Sequence, residues 1–203
     1  MSATEKPGFF GVVVDPQSYL NISYLLLAFP LGTFYFVFLV TGLSLGFGMI
    51  ILIFGVPILL LVLGGSWALS GFERRIAVAL LKEDIPSPSR QPIPQKLWPR
   101  VKAHLTDRAT WTGLLYLFLK FPVGIATFTI AVTLVSVTLG LLFAPAWSWT
   151  SDPLTWGAWT FDPFPWSWAG TLVGIPMIFI SLHLMNGMAL LSGRMVRVML
   201  GKL

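Results

Sequence analysis

The 203 residues contain no cysteine, and only 10% of them are charged. Without thiols there are no disulfides, no iron–sulfur ligands and no thiolate zinc sites. The scarcity of charge excludes more. An average soluble domain is roughly a quarter Asp, Glu, Lys and Arg, and a small chain that is 56% hydrophobic cannot hide that much apolar surface within itself. Much of it must face lipid. No Asp, Glu, Lys, Arg or His lies between Asp15 and Glu73, a gap that holds two spans of about 20 apolar residues each. Between Lys120 and Arg194 only Asp152, Asp162 and His183 interrupt, which leaves room for two more. A cleavable signal peptide is also missing from the pattern, because the first apolar run is too long for an h-region and no small-residue cleavage site leads into a polar mature domain. The first span is therefore read as a retained membrane segment.

Chemical apparatus is missing too. The sequence offers no nucleophile–base pair, carboxylate pair, metal cluster or phosphate loop. Asp152 and Asp162 each precede a proline and read as turn residues. Neither enzymatic activity nor a resident cofactor is expected.

The thirteen Lys and Arg residues avoid two places, the connection near Gly42–Gly48 and the connection Phe143–Trp168. The bias of Lys and Arg towards cytoplasmic loops then orients the chain in the cytoplasmic membrane, with both termini and the central loop inside and two hairpin tips outside. The net charge of +5 reads as an anchor on anionic lipid, not as a nucleic-acid surface.

What is present is a repeat. "YLLLAFPLG" at Tyr24–Gly32 returns as "YLFLKFPVG" at Tyr116–Gly124. Aligning Asp15–Gly32 with Asp107–Gly124 gives seven identities in eighteen ungapped positions, and Phe36, Val40, Thr41, Ser44 and Gly48 recur in register as Phe128, Val132, Thr133, Ser136 and Gly140. "GVPILL" at Gly55 and "GIPMIF" at Gly174 extend the echo at a larger offset. Each copy holds two spans, so the copies share one orientation and are parallel repeats. The expected fold is an all-α membrane protein, a single four-span domain over 1–203. Repeat one covers 15–81, a proline-rich cytoplasmic loop 82–106, and repeat two 107–203 with an outer loop 143–168.

Lysine at the bilayer centre costs at least about 2.5 kcal/mol, so Lys120 is expected at the cytoplasmic boundary. That places Pro122 in the first turn of the true span, where the missing donor is tolerated. Pro30, Gly32, Lys120, Pro122 and Gly124 then mark membrane elbows, bends from an interfacial helix into a span. The other reading is one long helix kinked at each proline. Asp15 and Asp107 are candidate N-caps, with Pro16 at the first helical position.

Gly42–Gly46 has the small-xxx-small spacing that lets membrane helices approach, or serves a tight hairpin tip. The segment "GFERRIAVALLKEDI" sets Phe72, Ile76, Ala79 and Leu80 on one face and is expected to lie on lipid. "IPSPSRQPIPQKLWP" reads as extended. The outer loop carries Trp147, Trp149, Trp156, Trp159, Trp166 and Trp168, which suit a cap on the outer leaflet or a docking surface for a partner. His183 sits inside span four beside Asn186. Interhelical hydrogen bonding is one reading of it, and ligation of haem iron or chlorophyll magnesium by its neutral imidazole is the other.

The run from "YLLLAFPLGTFYFVFLVTGLSLGFGMIILIFGVPILLL" through "FERRIAVALLKEDIP" to "LTDRATWTGLLYLFLKFPVGIATFTIAVTLVSVTLGLLFAPAW" resembles the sensor membrane domain found before the kinase core of two-component histidine kinases. The resemblance spans about Tyr19 to Leu203 and implies a four-span input module. It brings no established functional residues with it. No phosphoacceptor helix, ATP-binding domain or nucleotide lid is present in the 203 residues, so a stand-alone chain with a separate effector is expected. The expected function is a non-catalytic sensor-type module that acts through contacts with membrane lipid and with another membrane protein or a second copy. The alternative is a small accessory subunit of a respiratory or photosynthetic assembly, with His183 near a cofactor.

Overall fold

A computed structural model of the chain describes residues 9–52, 54–83, 85, 108–148, 154–156, 159–161 and 163–201. In lipid every backbone polar group must be satisfied within its own segment, so long apolar runs become helices. Four long ones form: α1 (Pro16–Gly48), α2 (Gly55–Leu81), α3 (Arg108–Leu142) and, after the short α4 (Ala144–Ser148), α5 (Pro163–Leu200). All four are long and apolar enough to cross a membrane. At 1.5 Å per residue they run about 40–57 Å, more than the roughly 30 Å hydrocarbon layer.

Local signals set the ends. The Asp15 carboxylate accepts from the Gln17 amide at 3.1 Å, and Pro16 occupies the first position, so α1 begins where a cap and a proline coincide. The α1–α2 turn is tight enough that a Cβ on Gly55 would collide with the backbone of Gly46 and Ile50. Gly42 and Gly46 lie within the last turns of α1 and seat Val62 and Leu59 of α2 against that helix. After Leu81 the chain leaves α2 through Lys82, which holds the left-handed conformation at φ 52°.

The elbow expectation does not hold as a break between two helices. α1 runs unbroken through Pro30, and α3 through Pro122. Proline is tolerated here because packed neighbours hold the helix on both sides of the lost hydrogen bond. The two phrases mark instead where α1 and α3 cross. A Cβ on Gly32 would stand 2.7 Å from the Lys120 carbonyl oxygen, and one on Gly124 would stand 2.5 Å from that of Ala28. Lys120 precedes Gly124 by one turn, as Ala28 precedes Gly32. The aromatic contacts exchange in the same way: Phe29 meets Phe128 at 5.1 Å, and Phe36 stacks on Phe121 at 4.4 Å. Every member of these contacts has its counterpart 92 residues away.

The lipid-lying stripe is also corrected. Residues 72–81 are the last turns of α2, with Phe72 and Ala79 exposed and Ala77 buried. The buried face of α2 runs Val62, Ser66, Ser70, Glu73, Ala77. A bundle in lipid inverts the soluble rule, because small and polar residues turn inward. Apart from Ile85, the proline-rich stretch lies outside the described residues, as does Asp107.

In the connection between α3 and α5, α4 is followed by a short antiparallel ladder, β1 (Leu154–Trp156) with β2 (Trp159–Phe161), in which Trp156 pairs with Trp159. Trp147 falls on α4, and Trp149 lies outside the described residues. Trp166 and Trp168 belong to the first turns of α5 and are exposed.

Candidate functional site

One end of the bundle carries Arg74, Arg75, Lys82, Arg108, Arg194 and Arg197. Just inside this basic end sits a cluster of ionisable and phenolic side chains with almost no solvent contact. α2 brings Glu73 to the α1–α3 crossing, and α3 brings Lys120 one turn before Gly124. Lys120 Nζ lies 2.5 Å from Glu73 Oε1, with the two side chains 4% and 0% exposed. Glu73 is about 27 Å along α2 from Gly55. Lys120 does not point out of the bundle. It turns inward to a carboxylate.

Three tyrosines complete the cage. Tyr24 and Tyr116 donate to Glu73 Oε1 at 2.9 and 3.0 Å, and Tyr35 donates to Oε2 at 3.0 Å. Lys120 also donates to the Tyr24 hydroxyl at 2.7 Å and stands 4.3 Å from the centre of that ring. Tyr24 and Tyr35 reach one carboxylate because eleven residues make just over three full turns, which returns them to the same face of α1. Tyr24 and Tyr116 are repeat partners. Lys120 and Glu73 are not repeated, since the register puts Ala28 opposite Lys120. Two similar halves thus enclose a site built from differences between them.

A carboxylate and an ammonium buried together must have nearly all their hydrogen-bonding capacity met, or desolvation outweighs their attraction. Here the carboxylate receives four donors, and α1, α2 and α3 each supply part of the cluster. The arrangement can hold three helices in one relative position, and it exposes no group to a substrate. Among the described residues no group of three or more His, Cys, Asp or Glu could hold a metal ion.

A second polar chain lies nearer the basic end. Gln17 Nε2 donates to the Leu80 carbonyl at 2.7 Å and to Asn21 Oδ1 at 3.0 Å. Asn21 Nδ2 donates to Asn186 Oδ1 at 2.9 Å, and Asn186 Nδ2 donates to the buried Ser18 hydroxyl at 2.9 Å. This chain couples α2, α1 and α5. Asn186→Leu is expected to cost about 0.6–1.7 kcal/mol, the range for hydrogen bonds between membrane helices, read from reversible unfolding in mixed micelles. An unchanged unfolding midpoint would remove the ladder from the account. Beyond it, Arg197 of α5 pairs with Glu83 just after α2.

The sequence-predicted residues divide. Gly32, Lys120 and Gly124 meet at the α1–α3 crossing, and Pro30 and Pro122 stand two residues before the two glycines. Trp147, Trp156, Trp159, Trp166 and Trp168 stay at the far end of the bundle. His183 is exposed on α5, and its Nδ1 lies 2.8 Å from the Phe179 carbonyl of its own helix, with the Phe9 ring stacked on it at 4.8 Å. Interhelical bonding, one reading of His183, falls to its neighbour Asn186 instead. Sequence reasoning missed Glu73 and its three tyrosines. Glu73 opens the basic run with Arg74 and Arg75 and so reads as interfacial. The missed signal was the heptad-like spacing Ser66, Ser70, Glu73, Ala77, a polar and small face on an otherwise apolar helix.

Four membrane-length apolar helices, three of them tied by a buried ion pair, define a multi-pass helical membrane protein. The family described as Putative sensor matches residues 24–200, a stretch that includes all five residues of the cluster, and the chain belongs to that family. No curated protein and no solved structure matches the chain.

Proposed function

We propose that this chain is a non-catalytic sensor module of the cytoplasmic membrane in which the Glu73–Lys120 cluster is the element that changes state. The observation that carries the reading is the cluster's reach: one carboxylate ties α1, α2 and α3 together. Such an element has two discrete arrangements, because a buried charge is either fully partnered or must find other partners. A cue that favours one arrangement shifts the population of both, and needs only a difference in affinity between them. The change would leave through α2, α3 and α5 at the basic end, and the distribution of Lys and Arg supports a cytoplasmic position for that end. An effector would read it there, and the match to the Putative sensor family supports the sensor role.

The test is isolation of the chain at native expression in mild detergent, followed by measurement of the effector's output with Glu73→Gln in the same membrane. The expected result is a monomer, dimer or complex with one signalling effector, whose output in the variant no longer follows the wild type. Recovery in fixed ratio with a large respiratory or photosynthetic assembly, and loss of the chain when that assembly is absent, would contradict the reading.

A further inference from the structure

Between Trp168 and Arg194 every exposed residue of α5 except His183 is apolar. This imidazole lies about 16 Å along the helix from Arg194, well inside the span. Its surroundings fix its chemistry. Nδ1 is 2.8 Å from the Phe179 carbonyl oxygen, and only a protonated nitrogen can donate to that oxygen. A neutral imidazole carries one proton, so Nε2 is left as an acceptor. No described residue donates to it. One ring lies on it, and two more are joined to that ring. Phe9 stacks on the imidazole with 24° between the planes, Phe9 also lies against Phe179 at 5.7 Å, and Phe10 meets Phe179 edge-on at 5.2 Å. Phe9 and Phe10 remain 55% and 74% exposed, so the aromatic cluster is open on its lipid side. The segment that carries them precedes the family match, and Tyr19 holds it in place through a hydrogen bond to the Val13 carbonyl at 2.7 Å.

We infer that His183 with Phe9, Phe10 and Phe179 forms a lipid-facing binding site for a planar phenolic ring dissolved in the bilayer, of the hydroquinone class. Its hydroxyl donates to Nε2 and its ring packs among the phenylalanines. An aliphatic alcohol supplies the donor but no ring to stack. An oxidised quinone supplies the ring but only acceptors, which Nε2 repels. The site therefore distinguishes reduced from oxidised rings by hydrogen-bond polarity alone, with no electron transferred. Three residues further along α5, Asn186 ties this helix to Ser18 and Asn21 of α1, so occupancy at His183 bears on the bundle directly. The binding stands independently; its meaning as an input rests on the sensor reading.

The test uses the full chain in lipid nanodiscs, with a decyl hydroquinone kept reduced and its dimethyl ether as the matched ring without donors. Partitioning into empty discs is subtracted. The hydroquinone should bind about ten-fold tighter than the ether, the net worth of one hydrogen bond. The Nε2 resonance of ¹⁵N-labelled His183 should move while Nδ1 stays. In His183→Phe the ten-fold ratio should fall to about one. Phe9→Leu, which leaves the acceptor intact, should weaken both ligands and keep the ratio. Equal binding of the two rings to the wild type overturns the inference, as does a ratio that survives His183→Phe. So does a porphyrin absorbance band that depends on His183, which would make Nε2 a metal ligand. Because binding is read without an effector, its failure leaves the sensor reading standing. Tight, selective binding with no change in effector output would fail the sensor link alone.

Discussion

Lys120→Met is expected to lower the unfolding free energy by about 3–5 kcal/mol, the range for removing one partner of a buried ion pair. Methionine matches the length of the lysine stem and fills most of its volume, so the loss does not come from a cavity. It comes from Glu73, left with three phenolic donors and no counter-charge inside the bundle. The same logic makes the second charge removal cheap. Adding Glu73→Gln to Lys120→Met should recover much of the loss, because the glutamine carbonyl still accepts from tyrosine and no net charge remains buried. The double-mutant cycle thus yields a coupling energy of a few kcal/mol, at the upper end of what contacting residues show. It is measured by reversible unfolding in mixed micelles. Additive effects of the two changes would mean that the pair is solvated and that the cluster is not the buried knot described above.

Gly32→Val and Gly124→Val form the second large effect. A Cβ at either position meets a backbone carbonyl, at 2.7 Å from Lys120 and 2.5 Å from Ala28 respectively. Backbone cannot rotate aside as a long side chain can, so α1 and α3 must separate along their crossing. Overpacking a close interface costs about 1–3 kcal/mol and occasionally more, and here the upper end is expected at both sites. Separation also draws Lys120 away from Glu73, so each substitution should be less than additive with Lys120→Met. Gly64→Val is the control, since nothing stands within 4 Å of a Cβ there. It should change stability by no more than about 0.5 kcal/mol, as surface substitutions do. Equal losses at Gly64 and Gly32 would show that the cost is general to glycine in these helices and would remove the crossing from the account.

How much of this was legible in the sequence follows from which forces act locally. Span number and the start of α1 are local: apolar run length sets the first, and Asp15 with Pro16 sets the second. The phrases around Pro30 and Pro122 were visible as important, but their meaning was not. A proline in an apolar run reads alike whether it bends a chain into the membrane or sits at a crossing, and the distinction rests on a partner helix 92 residues away. Lys120 shows the same limit. Solvation energy alone correctly keeps an unpaired lysine out of the hydrocarbon centre, and says nothing about a paired one. Glu73 was hidden by its neighbours, because Arg74 and Arg75 made it look like part of a solvated run. The face it shares with Ser66, Ser70 and Ala77 carried the missing information. Such a face is readable only once lipid, not water, is taken as the solvent outside the helix. His183 and Asn186 stand three residues apart on one helix, and only the packing of Asn21 and Ser18 of α1 against that helix separates the interhelical bond from the lipid-facing ring.

The central claim is that the Glu73–Lys120 pair holds α2 and α3 in one arrangement and that losing it releases a second. The absence of cysteine makes this directly measurable, since Ala79→Cys and Leu115→Cys, both at exposed positions near the basic end, would carry the only two spin labels in the protein. The distance between them should show one narrow population in the otherwise unaltered chain. A second population, the same one in both cases, should appear with Glu73→Gln and with Lys120→Met. A single unchanged distance in all three proteins would contradict the claim and leave the cluster as a fastening with nothing to release.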